Sequence, residues 1–519
     1  MTFGDELRQH RAERGWSLRR CARLMYLSPG YLSKLENDKS APTATAAKAA
    51  DEAFQTGTRF QGYVNDITRD PGTTTDALVG ANGARLPGYA RAQAATQERR
   101  SQDTELVGAV AVTGEVGHDE PEPLHVPWSS SLPSSDTVVA ASQQAWRAVR
   151  SHLIRHRTQL AKQAIRLYNP AWQLPQTPAL ALPSWLPSSP VPIEAVTLEW
   201  VPQPPRPMIT GREAELRPVL PLRSPGHAFQ QYTSAIRYLS PPSLFENRPS
   251  YRLLDVSWEP SGQGTMWFGL ATFFDKLDVS EALSHEFAAA MMESASPTWP
   301  QLPFRARLPQ PFDLSSRMGS TSIATLTIRR STTDGSHTFF LLGRDPTKVA
   351  VGGGQYGVIP AGEFQPSCIA PACMLDDLDV WRNIVREYSE ELLGEPEHDG
   401  SSGQPVDYEC WPFYRAMQRA RESGHLRASV LGVVLHALGL NPAIMTTVVI
   451  DDAVFDDLFR ERVTVNAEGH VVTSLDNEQS MYGLPFNETT VRHFLDTEPL
   501  GGTSAACLAL AWRYRDSLV

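Results

Sequence analysis

Two serines near the start of the chain, Ser17 and Ser28, are the residues that most constrain its fold. Serine is a preferred residue at the N-terminus of a helix, because its hydroxyl accepts a hydrogen bond from a backbone N–H of the first turn. Ser28 is followed by Pro29, which suits the first turn because no intrahelical acceptor is available there. Gly15 is a typical stop for a preceding helix that carries Leu7. The spacing therefore predicts three short helices joined by tight turns.

The apolar residues of these helices recur at intervals that bury one face of each helix. The predicted inner face comprises Leu18, Cys21, Ala22, Leu24, Tyr31, Leu32 and Leu35. A further, Ala-rich helix is predicted to start at Pro42 and to continue through Ala50. Gly30, Ser33 and Lys34 stay on the outside, near the start of the third helix, where recognition helices contact base edges and phosphates. The pattern indicates a DNA-binding surface, and a small helical bundle that binds protein is the alternative.

The charge distribution agrees with a nucleic-acid partner for this part of the chain. Residues 1–60 hold ten Lys and Arg against seven Asp and Glu, a net charge of +3, whereas the whole chain has a net charge of −11. The remaining residues therefore carry −14 and should repel DNA. We expect DNA contact to be confined to the N-terminal residues and to weaken as salt is added.

The N-terminal stretch resembles the phage-repressor (Xre/Cro-type) helix-turn-helix family over about its first sixty residues. The matching residues are Ser17, Ala22, Leu24, Leu27, Ser28, Leu32, Ser33, Leu35, Glu36, Asn37 and Pro42. The family usually has Gln after the cap of the second helix, where this chain has Leu18. The resemblance implies binding to double-stranded DNA and a homodimer on two half-sites. The predicted DNA-contacting residues are Ser17, Arg19, Ser28, Pro29, Gly30, Tyr31, Ser33, Lys34 and Lys39.

Length and composition indicate a multidomain protein. A chain of 519 residues exceeds one ordinary domain, and no signal peptide or membrane-spanning apolar run is visible, so no membrane partner is expected. The five cysteines are scattered, which favours a reduced, cytoplasmic protein. We expect Cys368 and Cys373 to be buried or loop thiols instead of zinc ligands.

The predicted fold class is an N-terminal all-α helix-turn-helix bundle, a linker, a long helix with a proline-rich strap, and a C-terminal α+β region. The boundaries are a helix-turn-helix domain at 1–65, a largely disordered linker at 66–135, the helix and strap at 136–228, an α+β domain at 229–320 and a second α+β domain at 321–519. Dense prolines exclude helices and central strands from the strap. Its tryptophans indicate an extended segment that lies on a domain surface.

The long helix has a second, basic face opposite its apolar one. That face holds Arg147, Arg150, Arg155, Arg157, Lys162 and Arg166. A solvated face, a brace against an acidic domain and a second DNA contact are the alternatives.

Alternating and helical patterns recur in the C-terminal region. They predict hairpins at 251–258 with 265–273 and at 322–329 with 338–343, strands at 428–435 and 446–451, and helices at 279–292, 381–394, 489–495 and 504–514. The helix at 381–394 is acidic, and Glu387, Glu390 and Glu391 share one of its faces. Three convergent carboxylates are suited to Mg²⁺, which prefers oxygen ligands. Arg386 is placed to pair with Glu390.

The acidic helix resembles the core of the Nudix box, Arg-Glu-x-x-Glu-Glu, and the likeness extends over residues 321–519. The resemblance implies that Glu387, Glu390 and Glu391 bind Mg²⁺ and assist hydrolysis of a substituted nucleoside diphosphate. The chain departs from the family where Pro360-Ala361-Gly362 replaces a double glycine and where Leu378 stands in place of the upstream glutamate. A degenerate, Nudix-like domain without a resident cofactor is therefore expected, and a helix with surface Arg–Glu pairs is the alternative.

Together these patterns predict a sequence-specific DNA-binding transcriptional regulator. Its C-terminal region would sense a ligand, such as a nucleotide-like effector, or mediate dimerisation. The alternatives are a Mg²⁺-dependent Nudix-type hydrolase fused to a DNA-binding domain, and a protein-interaction scaffold.

Overall fold

The computed structural model describes most of the chain outside the predicted linker. The described residues are 2–16, 18, 20–21, 25, 32, 35–37, 42, 44–54, 56–67, 137–242, 245–344, 355–395, 405–460, 469–472 and 483–519. The chain divides into two compact units, Met1–Trp128 and Ser129–Val519. The predicted linker at 66–135 lies outside the described residues except for its first two positions.

The described secondary-structure elements of the first unit are all helices. Helix α1 (Phe3–Glu13) is capped by Thr2, whose hydroxyl accepts the N–H of Asp5. It ends before Gly15, whose φ of +60° agrees with the predicted stop. Helices α2 (Ala44–Phe54) and α3 (Arg59–Ile67) follow.

The core of the first unit agrees with the predicted apolar stripes where it is described. Leu7, Cys21, Leu32, Leu35 and Ala47 are at most 1% exposed. The described residues of the predicted second and third helices, which are Leu18, Arg20, Cys21, Leu32, Leu35 and Glu36, have helical backbone. The predicted starts at Ser17 and Ser28 and the predicted inner residues Ala22, Leu24 and Tyr31 lie outside the described residues.

The second unit combines helices with mixed sheets. Its helices are α4 (Thr137–Ala164), α5 (Tyr232–Leu239), α6 (Phe273–Lys276), α7 (Ala282–Glu293), α8 (Pro371–Asp376), α9 (Val380–Leu392), α10 (Pro412–Glu422), α11 (Asp452–Leu458), α12 (Glu488–Asp496), α13 (Gly502–Arg513) and α14 (Arg515–Leu518). Its strands are β1 (Ala179–Leu180), β2 (Val191–Pro192), β3 (Val196–Trp200), β4 (Leu222–Ser224), β5 (His227–Ala228), β6 (Pro249–Trp258), β7 (Gly264–Thr272), β8 (Ser322–Arg330), β9 (His337–Phe339), β10 (Leu341–Arg344), β11 (Tyr356–Val358), β12 (Ala361–Glu363), β13 (Leu426–His436), β14 (Pro442–Asp451), β15 (Gly469–Val472) and β16 (Leu484–Pro485).

The largest sheet has the strand order β1-β13-β14-β8-β9-β16, with β2 added to β13 and β12 added to β8. The pair β14–β8 is parallel, and the neighbouring pairs β13–β14 and β8–β9 are antiparallel. Every residue of β14 is buried, because apolar clusters cover both faces of this sheet. Smaller sheets have the orders β11-β10-β15, β3-β7-β6 and β4-β5.

The proline-rich strap is built from short turns and edge strands, as its composition requires. Pro170 and Pro183 each begin a single 3-10 turn, where a missing N–H costs nothing. Strand β3 forms the edge of its sheet, in parallel with β7. Segments 136–228, 229–320 and 321–519 all lie in the second unit, whose largest buried cluster extends from Trp146 to Phe459.

Two predicted elements differ from the structure. The strand predicted at 338–343 is two strands: β9 pairs with β8, whereas β10 joins another sheet. Phe339, Phe340, Leu341 and Leu342 are all at most 2% exposed. Both faces of this segment are therefore buried, and it lacks the alternation of buried and exposed residues that marks a single half-exposed strand. The helix predicted to start at residue 279 is preceded by a π-helical turn, Leu277–Glu281, and the α-helix proper starts at Ala282.

The cysteine prediction is wrong for one pair. Cys368 and Cys373 form a disulfide that closes a short loop before α9, instead of remaining thiols. Their sequence spacing alone did not show that the loop folds back and brings the two Cα atoms to 5.8 Å. Cys21, Cys410 and Cys507 are free. Among the described residues, no helix is long and apolar enough to span a bilayer.

Candidate functional site

A partly buried ion pair joins α1 to the end of the predicted recognition helix. Nε and Nη2 of Arg11 donate hydrogen bonds of 2.6 and 2.9 Å to the two carboxylate oxygens of Glu36. Arg11 also donates to the carbonyl of Trp16, 3.1 Å away. The hydrogen bond with Glu36 raises the pKa of Arg11 above its ordinary value. This two-pronged geometry fixes orientation as well as distance.

The predicted recognition helix is further anchored through its apolar residues. Leu32 and Leu35 are 0% and 1% exposed, and they pack in the core with Leu7 and Ala50. Arg8 adds a hydrogen bond to the carbonyl of Glu36. Residues three or four positions apart share one face of a helix, and Leu32, Leu35 and Glu36 are all buried.

A second set of contacts holds the remaining helices of the first unit together. Trp16 stacks on Phe54 with ring centroids 5.5 Å apart, and Arg14 donates to the carbonyl of Phe54 at 2.8 Å. The carboxylate of Asp51 accepts hydrogen bonds from the backbone N–H groups of Phe60 and of the following residue, in the first turn of α3. Burial raises the pKa of Asp51, but these hydrogen bonds outweigh it and hold the pKa below its ordinary value.

Residues 2–59 match the family model of a helix-turn-helix domain. The match covers most of the described part of the first unit and supports a DNA-binding domain at this end of the chain. No curated protein matches the chain.

The predicted DNA-contacting side chains of this helix-turn-helix domain all lie outside the described residues: Ser17, Arg19, Ser28, Pro29, Gly30, Tyr31, Ser33, Lys34 and Lys39. Their roles stay predictions. The described residues around them explain how such a helix is held, which sequence reasoning had not included. The signal available in the sequence was the pair of opposite charges at Arg11 and Glu36.

The predicted carboxylate cluster lies on α9 in the second unit. Oε1 of Glu391, a residue only 5% exposed, accepts the N–H of Ala361 at 3.3 Å. The carboxylate of Glu387 lies so close to Gly362 that a Cβ at this glycine would overlap it. Glu387 and Glu391 are therefore both turned towards strand β12. Within the described ranges, no group of three His, Cys, Asp or Glu side chains has the arrangement of a metal site, and Mg²⁺ binding by Glu387, Glu390 and Glu391 stays a prediction.

Arg386 differs from the expectation of a surface pair with Glu390. It is 2% exposed, and its guanidinium lies 3.4 Å from Asp377 and contacts the hydroxyl of Tyr408. The same tyrosine donates to Asp377 at 2.6 Å. Burial raises the pKa of Tyr408, so the phenol stays protonated and can donate. Sequence spacing could not reveal this network, because Tyr408 belongs to a separate segment of the chain.

Proposed function

We propose that this protein is a sequence-specific DNA-binding transcriptional regulator of the phage-repressor type. The observation that carries the proposal is the helix-turn-helix match at residues 2–59, combined with the inward anchoring of Leu32, Leu35 and Glu36. In this proposal the helix starting at Ser28 enters the major groove, with Ser33 and Lys34 at base edges and phosphates. The net charge of +3 over residues 1–60 supports phosphate contact.

The test is to select genomic fragments bound by the purified chain and to measure their affinity by gel shift. Ser33→Ala and Lys34→Ala should each weaken binding, with a loss of about 1–3 kcal/mol for a base contact. Lys48→Ala on α2 is the matched control, because it removes the same charge from an exposed lysine of the same unit. Equal binding of the fragments by the parent chain, both recognition-helix variants and the control would contradict the placement of the recognition helix.

The second unit supplies, in the same proposal, ligand sensing or dimerisation. Repressor-type modules read two half-sites as dimers, so light scattering should give twice the mass of 57.3 kDa. The resemblance of 321–519 to Nudix domains supports a ligand-binding ancestry. A monomer at micromolar concentration, on and off DNA, would contradict the homodimer.

Nudix-type hydrolysis is the competing function, and the Arg-Glu-x-x-Glu-Glu run favours it. Turnover of nucleotide sugars or dinucleotides with Mg²⁺ that disappears in Glu390→Gln and Glu391→Gln would establish the enzyme. Binding without turnover would favour the sensor, and absence of binding would favour a scaffold that recruits proteins.

A further inference from the structure

Two histidines one helical turn apart lie side by side on α4, in the second unit. The ring centroids of His152 and His156 are 4.5 Å apart, and the two ring planes make an angle of 42°. Residues at positions i and i+4 are neighbours on one face of a helix. The backbone of α4 departs from helical dihedral angles at His156, where φ is −116° and ψ is 20°. The pair therefore lies at a kink in this helix.

Both imidazole rings are accessible and are not engaged by other groups of the described chain. His152 is half-buried and His156 is exposed. Among the described residues, neither ring takes part in a hydrogen bond or an ion pair. Burial, and then the nearby His156 and Arg155, lower the pKa of His152 below its ordinary value. This ring is therefore neutral near pH 7, which is the form of histidine that binds a metal ion.

The separation of the two rings suits a shared metal ion. Bonds of about 2.0–2.1 Å from Zn²⁺ to nitrogen place the centroids of two imidazoles on one ion about 4.5–5 Å apart. The observed 4.5 Å lies at the lower end of this range. Two histidines at i and i+4 on one helix face are an arrangement that binds Zn²⁺. Imidazole also suits Ni²⁺ and Cu²⁺, whereas Mg²⁺ prefers oxygen ligands.

We infer that His152 and His156 together bind one divalent transition-metal ion of the class that prefers imidazole nitrogen, namely Zn²⁺, Ni²⁺ or Cu²⁺. Each ring supplies one nitrogen. Water supplies the remaining ligands, because within the described ranges no third His, Cys, Asp or Glu side chain completes the set. The ion joins two successive turns of α4 across the kink at His156. Structural zinc sites have four protein ligands, so an ion held by two is exchangeable.

Isothermal titration calorimetry of the metal-free full chain with Ni²⁺, and separately with Zn²⁺, tests the inference. Excess Mg²⁺ is present throughout, because it occupies oxygen-ligand sites and binds imidazole poorly. His152→Gln and His156→Gln should each weaken binding about tenfold or more, since each leaves a single ligand in place of a chelating pair. The double variant should bind about as weakly as either single variant, because the two rings act on the same ion.

Matched controls locate the site on α4. His227→Gln removes an exposed histidine of the same unit that lies on β5, and Cys410→Ser removes an exposed free thiol. Both controls should bind Ni²⁺ and Zn²⁺ as the parent chain does. All variants are first compared with the parent chain by circular dichroism in the absence of metal, so that a change in folding is not mistaken for a lost ligand.

A thermal measurement gives an independent readout. Because an ion that binds only the folded state stabilises it, Ni²⁺ should raise the thermal midpoint of the parent chain and of both controls. The same concentration of Ni²⁺ should leave the midpoints of His152→Gln and His156→Gln nearly unchanged.

Three outcomes would overturn the inference. They are no binding of either ion by the parent chain, equal affinities in the parent chain and the α4 variants, and losses that simply add in the double variant, which would indicate two separate sites. The inference does not rest on the proposed function. A parent chain that binds no DNA would refute the proposed function and leave the calorimetric result intact.

Discussion

Arg157 donates a hydrogen bond of 2.7 Å to Oε2 of Glu281, and the two residues are 124 positions apart in the chain. Arg150 lies 3.6 Å from the same oxygen, and all three side chains are at most 8% exposed. The contact joins the long helix α4 to the π-helical turn before α7. Two arginines of the predicted basic face therefore brace α4 internally, and the interpretation of that face as solvated or DNA-binding is wrong for this pair.

Glu281→Gln should lower the free energy of unfolding of the second unit by about 3–5 kcal/mol, because two buried arginines lose their counter-charge. Urea denaturation of the full chain measures it. Glu293→Gln, an exposed glutamate at the end of α7, is the control. Equal midpoints for the two variants would contradict the brace.

The Glu281 pair also predicts the response to acid. Burial raises the pKa of Glu281, but the nearby Arg157 and Arg150 outweigh this and hold the pKa below its ordinary value. A carboxyl with a lowered folded pKa contributes stability above its unfolded pKa and loses it as pH falls through the folded pKa. The difference in the free energy of unfolding between the parent chain and Glu281→Gln should therefore be constant near neutrality and shrink progressively as the pH falls below about 4.5.

His285 should destabilise the fold in mild acid. Burial lowers its pKa to about 3, and its Nδ1 lies 3.0 Å from the hydroxyl of Tyr232. Because the unfolded histidine takes up its proton near pH 6.5 and the folded one does not, stability falls as pH drops from 6.5, by at most about 1.4 kcal/mol per pH unit. Asp278, whose pKa burial raises to about 6, opposes this trend. The measurement is therefore the difference in the free energy of unfolding between the parent chain and His285→Asn, taken at pH 7 and at pH 5. This difference should be smaller at pH 5. An equal difference at the two pH values would contradict the prediction.

In the first unit, Glu36→Gln should destabilise the helix-turn-helix domain and weaken DNA binding together. Arg11 is 21% exposed, so solvent partly compensates for the lost ion pair. We expect the free energy of unfolding to fall by about 1–3 kcal/mol. The thermal transition of this unit and the gel shift should move in parallel. Glu13→Gln, on an exposed part of α1, should change neither. Unchanged DNA affinity in Glu36→Gln would mean that the ion pair does not position the recognition helix.

Gly362→Ala tests the packing of the acidic helix on strand β12. The new methyl group would overlap the carboxylate of Glu387, so α9 or β12 must shift. This shift should lower the free energy of unfolding by about 1–3 kcal/mol. Gly319→Ala is the matched control, since a Cβ there meets no atom within 4 Å. Thermal midpoints of the two variants check the prediction, and a smaller loss for Gly362→Ala would contradict it.

The elements that depend on local pattern were predictable from sequence. Helix α4 and the hairpin β6–β7 lie close to their predicted positions, because a buried face imposes its period on the residues of one continuous segment. The boundary between β9 and β10 was not predictable, since Phe340 is covered by Phe455 from a distant segment, with ring centroids 4.9 Å apart.

The sequence by itself determined the helix-turn-helix character of the N-terminus, because caps, glycine stops and apolar spacing act within a few residues of one another. The tertiary structure alone decided what the charged residues do. Arg157 reaches Glu281, Arg386 reaches Asp377, and Arg421 stacks on Trp381 without an ion pair among the described residues. From sequence alone, a charged side chain is expected to be solvated. Only the packing of distant segments removes the water around it and determines its partner.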